Sequence, residues 1–351
     1  MATVGLKGVW GLEQLDKTGL ATWKLGLMLM GVAGVVGYVL TKVLSGMEPN
    51  PVQGPMSPDS ITAQTFGIVF MQAGVVVILM ALARAVEVDL KALALVDNVI
   101  EASIERLKAK RALRFTCIAL GLLYGYLLVP LAISQGPRLN LTVLETFVAL
   151  AAGGPDLIFA FIILPVSGLL LGMGWVIIIS QIISLTHAAR HIKIDFLQLN
   201  DYAAIANPGV RLFICMIMML STFPLMMLYV DDPIDAAILM RVSLASVITV
   251  VVMLLPYTYP VWILRNRIRD KKLAEMGQIT RSLRGDEEAV KTINIHALDA
   301  PTTAADLLTH QMFLESRWDW PIASHLQKLI LFGLLPPLTW VVAAMIENAM
   351  Y

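Results

Sequence analysis

The chain has 351 residues, 58% of them hydrophobic and 15% charged, with Lys plus Arg and Asp plus Glu balanced at 26 each. A soluble domain carries about 25% charged residues, so a mean hydropathy of +0.75 excludes an ordinary soluble protein and assigns the chain to the lipid bilayer. No stretch has the dense basic patch interleaved with aromatics that nucleic-acid binding uses, so no nucleic-acid partner is expected.

A membrane-crossing helix needs about 20 apolar residues. Seven segments qualify: 25–45, 62–83, 115–134, 157–186, 212–230, 237–264 and 327–347. The expected fold is an all-α membrane protein of about seven transmembrane helices. Residues 1–24 are a cytoplasmic N-terminal segment, with no charged stub and cleavage site of a secretory signal. Residues 25–264 form a six-span bundle. Within it, 46–61 is a Pro- and Gly-rich loop, and 85–113 repeats apolar positions (Val88, Leu95, Val99, Ile104, Leu107) at helical spacing. Residues 139–154 are apolar enough for a re-entrant or interfacial helix. The uncharged run 157–186 exceeds a bilayer core, so that helix must tilt, kink at Pro165 or project beyond the membrane.

The sixth span is interrupted by Pro256 and Pro260. It leads into 265–326, a helical anchor region in which Ile268, Met276, Ile279 and Leu283 recur at helical spacing. Within that region 285–304 reads as a polar linker and 305–326 as a second amphipathic piece. Residues 327–351 are the last span and a short outside tail.

Orientation follows from charge. Of the 26 basic residues, all but Lys42, Arg138 and Arg241 fall in residues 1–24, 84–114, 187–211 and 265–328. Basic loops stay cytoplasmic, which puts the N-terminus inside and the C-terminus outside and leaves the outer face acidic. An amphipathic helix must bury its apolar stripe, so the long basic connections predict a built cytoplasmic helical layer. Cys117 and Cys215 lie where spans leave the cytoplasmic side. In a reducing compartment they read as small apolar residues rather than a disulfide.

His187, His191 and Asp195 recur every four residues and would share one helical face, a spacing that can hold a divalent metal. Asp97, Glu101 and Glu105 have the same spacing and could supply oxygen ligands. The bland alternative is the polar end of a long helix, and no cofactor is otherwise indicated. Buried ionisable residues are nearly lacking, which argues against a proton-coupled pump. Gln72, Ser180, Gln181, Ser184 and Tyr257 read as polar links between helices. Gly31, Gly34 and Gly37, and the pair Gly168 and Gly172, permit close helix packing, within one chain or across a dimer. In the run 315–321, Glu315, Arg317, Trp318, Trp320 and Pro321 read as an interface anchor for the last span. Catalytic signatures such as a Gly-x-Ser-x-Gly elbow or a phosphate loop are absent from the sequence, and no catalytic residue is singled out.

Three stretches carry a family resemblance: Ile194-Asp-Phe-Leu197 with Asn207-Pro-Gly-Val-Arg211; Ile268-Arg-Asp-Lys-Lys-Leu-Ala-Glu275; and Glu315-Ser-Arg-Trp-Asp-Trp-Pro321 with Pro336-Pro-Leu-Thr-Trp340. In these the C-terminal half resembles a widespread family of uncharacterised bacterial multi-pass inner-membrane proteins, which implies a location but no activity. In topology alone, seven spans with an inside N-terminus and a cytoplasmic helical layer resemble the insect odorant and gustatory receptor channels. That resemblance implies a homo-oligomer with a cation pore lined by the last span, where Pro336, Pro337, Thr339, Ala343 and Glu347 are the pore candidates. Three readings follow. The first is an oligomeric channel or sensor. The second is a non-conducting subunit that docks a cytoplasmic protein partner, and the third is a metal-dependent membrane enzyme.

Overall fold

The computed structural model describes residues 3–9, 11–47, 58–95, 97–134, 162–227, 236–286 and 303–317. Every regular element among them is helical. After a 3-10 turn at Val4–Leu6 come α1 (Leu12–Lys17), α2 (Thr22–Ser45), α3 (Pro58–Ala94), α4 (Glu101–Glu105) and α5 (Arg111–Ser134). Then follow α6 (Leu164–His191), α7 (Ala203–Met227), α8 (Ala236–Leu283) and α9 (Ala304–Ser316). Three helical stretches are long and apolar enough to cross a membrane: Thr22–Ser45, Thr65–Ala94 and Leu164–His191. That fits a membrane protein.

α2 carries at both ends the residue types that favour a bilayer boundary. Trp23 has Lys24 over its ring at 5.4 Å, and Tyr38 has Lys42 at 5.9 Å. Aromatic rings and long basic side chains settle at the two faces of a bilayer. At 1.5 Å per residue, Trp23 and Lys42 stand about 28 Å apart, close to the thickness of a hydrocarbon core. Between them Leu27, Val35 and Val39 are exposed.

α3 packs against α2, α6 and α7, and α8 against α6 and α7. Gln72 ties α3 to α6 by donating to Ser167 Oγ at 2.8 Å and to the Ile163 carbonyl at 3.3 Å. The closest seam joins α5 and α6, because four glycines line it. Gly121 and Gly125 face Gly168 and Gly172, and a Cβ added at Gly121 would lie 2.5 Å from the Gly168 carbonyl oxygen. The Gly168/Gly172 pair therefore serves packing within one chain. In the first span only Gly37 is closely covered, by the Phe66 ring; Gly31 and Gly34 have nothing within 4 Å.

The largest apolar core gathers around the C-terminal ends of α3 and α6. Leu82, Val86, Leu90 and Leu93 of α3 meet Leu185, Ala188 and Ala189 of α6, Leu264, Ile268 and Ile279 of α8, and Leu307 and Leu314 of α9. α3 and α8 enter this layer without a break. α8 runs 48 residues, through Pro256 and Pro260. The N-terminal segment joins the same side. Leu6, Val9 and Leu12 are buried with Leu79, Met80 and Ala83. Glu87 Oε2 accepts from the Val4 N–H at 2.5 Å, and Arg114 donates to the Gly8 carbonyl at 2.5 Å. α9 starts on a capping box in which the Asp306 N–H reaches Thr303 Oγ1 at 3.2 Å and the Thr303 N–H reaches Asp306 Oδ2 at 2.9 Å.

One expectation changes and another narrows. Residues 85–113 are not one helix: α3 stops at Ala94, a 3-10 turn and α4 cover 98–105, and α5 begins at Arg111. The buried stripe continues the register of the span through Val86, Leu90 and Leu93, while Val88 and Leu95 are exposed. The fourth span has no kink within α6 at Pro165, which sits in that helix's first turn, where its missing N–H costs nothing. α6 continues unbroken past residue 186 to His191. The segment 139–154 and the last span lie outside the described residues. Cys117 and Cys215 are both free thiols.

Candidate functional site at the end of the bundle

One face of α6 becomes polar as the helix leaves the apolar bundle. Ser180, Gln181 and Ser184 are buried, and His187 and His191 follow on the next two turns. Gln181 Oε1 accepts from the Tyr257 hydroxyl of α8 at 2.6 Å, with both residues buried. Ser184 Oγ donates to the Ser103 carbonyl of α4 at 2.5 Å, and Ser103 Oγ pairs with His187 Nδ1 at 2.8 Å. His187 and His191 stack with ring centroids 4.2 Å apart. The helix thus reaches two neighbours through side chains that a purely apolar face would lack.

Beyond His191 the chain turns, and a second set of bonds fixes the turn. Tyr202 is fully buried; its hydroxyl accepts from the Asp195 N–H at 2.6 Å and donates to the Lys193 carbonyl at 2.9 Å. Burial pushes the Tyr202 phenol up, so it stays neutral and keeps the proton it donates. The Lys193 N–H donates to Asp97 Oδ2 at 2.8 Å. From α8, Arg267 donates to the Ala189 carbonyl at 2.8 Å and Lys271 to the Ile194 carbonyl. Carbonyls at a helix C-terminus have no partner in the helix, and cations are favoured there.

The expected metal face is not assembled. α6 ends at His191, and Asp195 is extended (φ −121, ψ 122), with its carboxylate accepting from the Leu197 N–H at 2.9 Å. Asp195 therefore leaves the line of the two imidazoles because the helix does not continue. Asp97 precedes α4 and is occupied by Lys193. Among the described residues no three His, Cys, Asp or Glu side chains gather as a metal site.

In the anchor run, Glu315 accepts from Gln311 at 3.0 Å, and the Arg317 guanidinium lies 4.6 Å from the Phe313 ring centroid. Lys272 donates to the Arg317 carbonyl at 2.8 Å, so the basic run of α8 reaches the anchor through its backbone. Trp318, Trp320 and Pro321 lie outside the described residues, as do the pore candidates Pro336, Pro337, Thr339, Ala343 and Glu347. Sequence reasoning missed Ser103 and Tyr202. Tyr202 had a signal in being the one aromatic between Phe196 and Phe213 in an otherwise polar turn.

The Tyr257–Gln181 bond is testable by a double-mutant cycle. Tyr257→Phe leaves the buried Gln181 carbonyl oxygen without its donor and is expected to cost about 1–3 kcal/mol. Adding Gln181→Leu to Tyr257→Phe should recover most of that loss, since no polar atom is then stranded. Unfolding of the purified protein in a denaturing detergent reads both; equal stability of the single and double variants would remove the bond from the account.

Fold and site together define a protein that is helical throughout its described residues, with three helices long and apolar enough to cross a membrane and a packed helical layer at one end of them. Compared with family models, curated proteins and solved structures, the chain matches none.

Proposed function

We propose that the chain is a multi-pass inner-membrane protein of channel or sensor type, built from seven spans. Its N-terminus and helical layer are cytoplasmic and its C-terminus is outside. One observation supports this above others: parts of residues 1–24, 84–114, 187–211 and 265–328, the four basic stretches, pack together in one layer. α3 and α8 pass unbroken from apolar bundle to layer, so a force on the layer is carried into the spans. The resemblance of the C-terminal half supports a bacterial inner membrane, and the acidic outer face favours cations if the oligomer conducts.

Potassium or sodium flux into proteoliposomes, abolished by a bulky substitution at Thr339 or Ala343, is the expected result. Reconstituted protein that passes neither ion under any applied voltage would sink the conducting reading. A single Cys at position 17 in an otherwise Cys-free chain should react only with reagents added from the cytoplasmic side, which tests orientation separately.

A second reading, a non-conducting subunit that docks a cytoplasmic protein, is favoured by the exposed apolar residues Leu197, Leu273, Leu308 and Met312 on the layer. Absence of flux together with a partner held in fixed stoichiometry would favour it over the first.

A further inference from the structure

Two neighbouring helices change character at the same level. On α8, Leu255, Tyr259, Trp262 and Arg269 are exposed along one face. Leu255 to Trp262 is two turns, and Trp262 to Arg269 two more, each about 10 Å. On α6, exposed Ile183 precedes exposed Arg190 by the same two turns. The lines are joined, because Arg190 donates to the Tyr259 hydroxyl at 3.0 Å. Both lines pass from aliphatic to cationic side chains, and aromatic rings mark the crossing on α8. That is the order of hydrocarbon, interface and headgroup layers in a bilayer.

The charge at this level is not cancelled by the partners it has. Arg190 meets a neutral hydroxyl, Arg267 the Ala189 carbonyl and Lys271 the Ile194 carbonyl; Lys271 also has Glu275, at 3.5 Å. A guanidinium carries five N–H donors in a planar fork, and one hydroxyl occupies only part of it. The Tyr259 oxygen accepts from Arg190, which leaves its own O–H as a donor. A phosphate presents several acceptor oxygens and pairs with arginine through two parallel bonds.

We propose that Arg190, Tyr259, Trp262 and Arg269 form a binding site for the phosphate headgroup of an anionic membrane lipid, with an acyl chain along Ile183 and Leu255. The proposal rests on α6 and α8 crossing the bilayer. The headgroup bridges the end of α6 to α8 just past Pro256 and Pro260, on the outside of the junction that Gln181 and Tyr257 close from within.

The test uses the full-length protein in detergent, with retained lipid counted by native mass spectrometry. The probes are phosphatidylglycerol, phosphatidylcholine with the same acyl chains, and inorganic phosphate. Wild type should retain phosphatidylglycerol preferentially. Arg190→Gln and Arg269→Gln should each weaken that retention about fivefold, the effect of roughly 1 kcal/mol for each charge at a membrane surface. Phosphatidylcholine retention should not change. Arg284→Gln, at the far end of the α8 extension, should match wild type. Tyr259→Phe keeps every charge but frees the guanidinium, and should cost about twofold; it serves if the arginine variants fail to fold. Equal retention of the two lipids by wild type overturns the site while leaving the membrane reading intact. Retention of no lipid at all overturns both. Displacement of phosphatidylglycerol by inorganic phosphate at equal concentration would mean an anion site without lipid selectivity, and would also overturn it.

Discussion

Gly172→Leu is expected to destabilise the protein by about 3 kcal/mol or more, toward the upper end of overpacking costs, and to lower the amount of folded protein recovered from membranes. The reason is the partner that a side chain would meet. A Cβ at this position lies 2.7 Å from the Ile118 Cα and 2.8 Å from the Cys117 carbonyl oxygen. Both are backbone atoms of α5, so no rotamer change can make room, and the two helices must separate. Small residues are enriched at membrane helix interfaces because they let backbones approach. Gly31→Leu is the matched control. Nothing lies within 4 Å of that position, and the change should stay within about 0.5 kcal/mol. The fraction folded across a denaturing-detergent titration compares the two. Equal losses would mean that α5 and α6 do not meet at the glycines.

Arg84→Met should be the most damaging single change outside the apolar cores, at about 3 kcal/mol. Arg84 Nε pairs with Asp16 Oδ1 at 2.8 Å, with the Asp16 side chain only 4% exposed. Arg84 also donates to the Leu20 carbonyl at 2.8 Å and to Thr22 Oγ1 at 3.2 Å. It thereby straps α1 and the start of α2 to α3. Without it, Asp16 keeps the Thr3 N–H at 2.5 Å but remains buried without a counter-charge. Arg84→Met with Asp16→Leu should be markedly more stable than Arg84→Met alone, since breaking a buried pair costs more than replacing it.

The same pair sets a pH dependence. Burial pushes the Asp16 carboxyl up, but the Thr3 N–H and Arg84 outweigh burial and hold it below its ordinary 3.8. A carboxyl depressed on folding contributes stability above its unfolded value and loses it as pH falls through the folded one. Wild type should therefore lose this contribution only below about pH 3.8. In Arg84→Met burial acts with less opposition, and a raised carboxyl favours the folded state on acidification. The gap between variant and wild type should narrow from pH 7 towards pH 4. A gap independent of pH would show that Asp16 is not the group stranded.

Much of the architecture was legible because a bilayer enforces it. An uncharged apolar run has few alternatives to a helix in lipid, and α2 begins three residues before the expected 25–45 and ends with it. Beyond the spans that constraint is lost. Apolar spacing alone selected Val88 and Leu95 as buried, whereas the register was already set inside the span by Leu79 and Leu82. The period was right; its phase failed at Val88 and Leu95 but held at Leu107, which is buried. The candidate metal face failed for a related reason. The four-residue spacing of His187, His191 and Asp195 has meaning only on a continuous helix, and the carbonyls freed after Ala188 are taken by Arg267 and Lys271 of a helix some 75 residues away in sequence. No local pattern announces such a stop. The links through Gln72, Gln181 and Tyr257 were better signalled, since amide and hydroxyl groups in apolar runs need partners.

The uninterrupted length of α8 has a mechanical side. From Pro260 to Leu283 is 23 residues of helix, an arm of about 35 Å. Prolines remove helix hydrogen bonds and are where sharp bends occur. A change of about 10° at the pair, small beside the kinks prolines produce, sweeps the tip of that arm through roughly 6 Å. The arm is gripped near its pivot, where Tyr257, Arg267 and Lys271 bind the end of α6, and it carries α9 along its length through Lys272 and Glu275. A sub-ångström adjustment in the bundle is thus geared up several-fold at the far end of the arm. By the same ratio, a modest push on the tip arrives at the prolines as a strong torque.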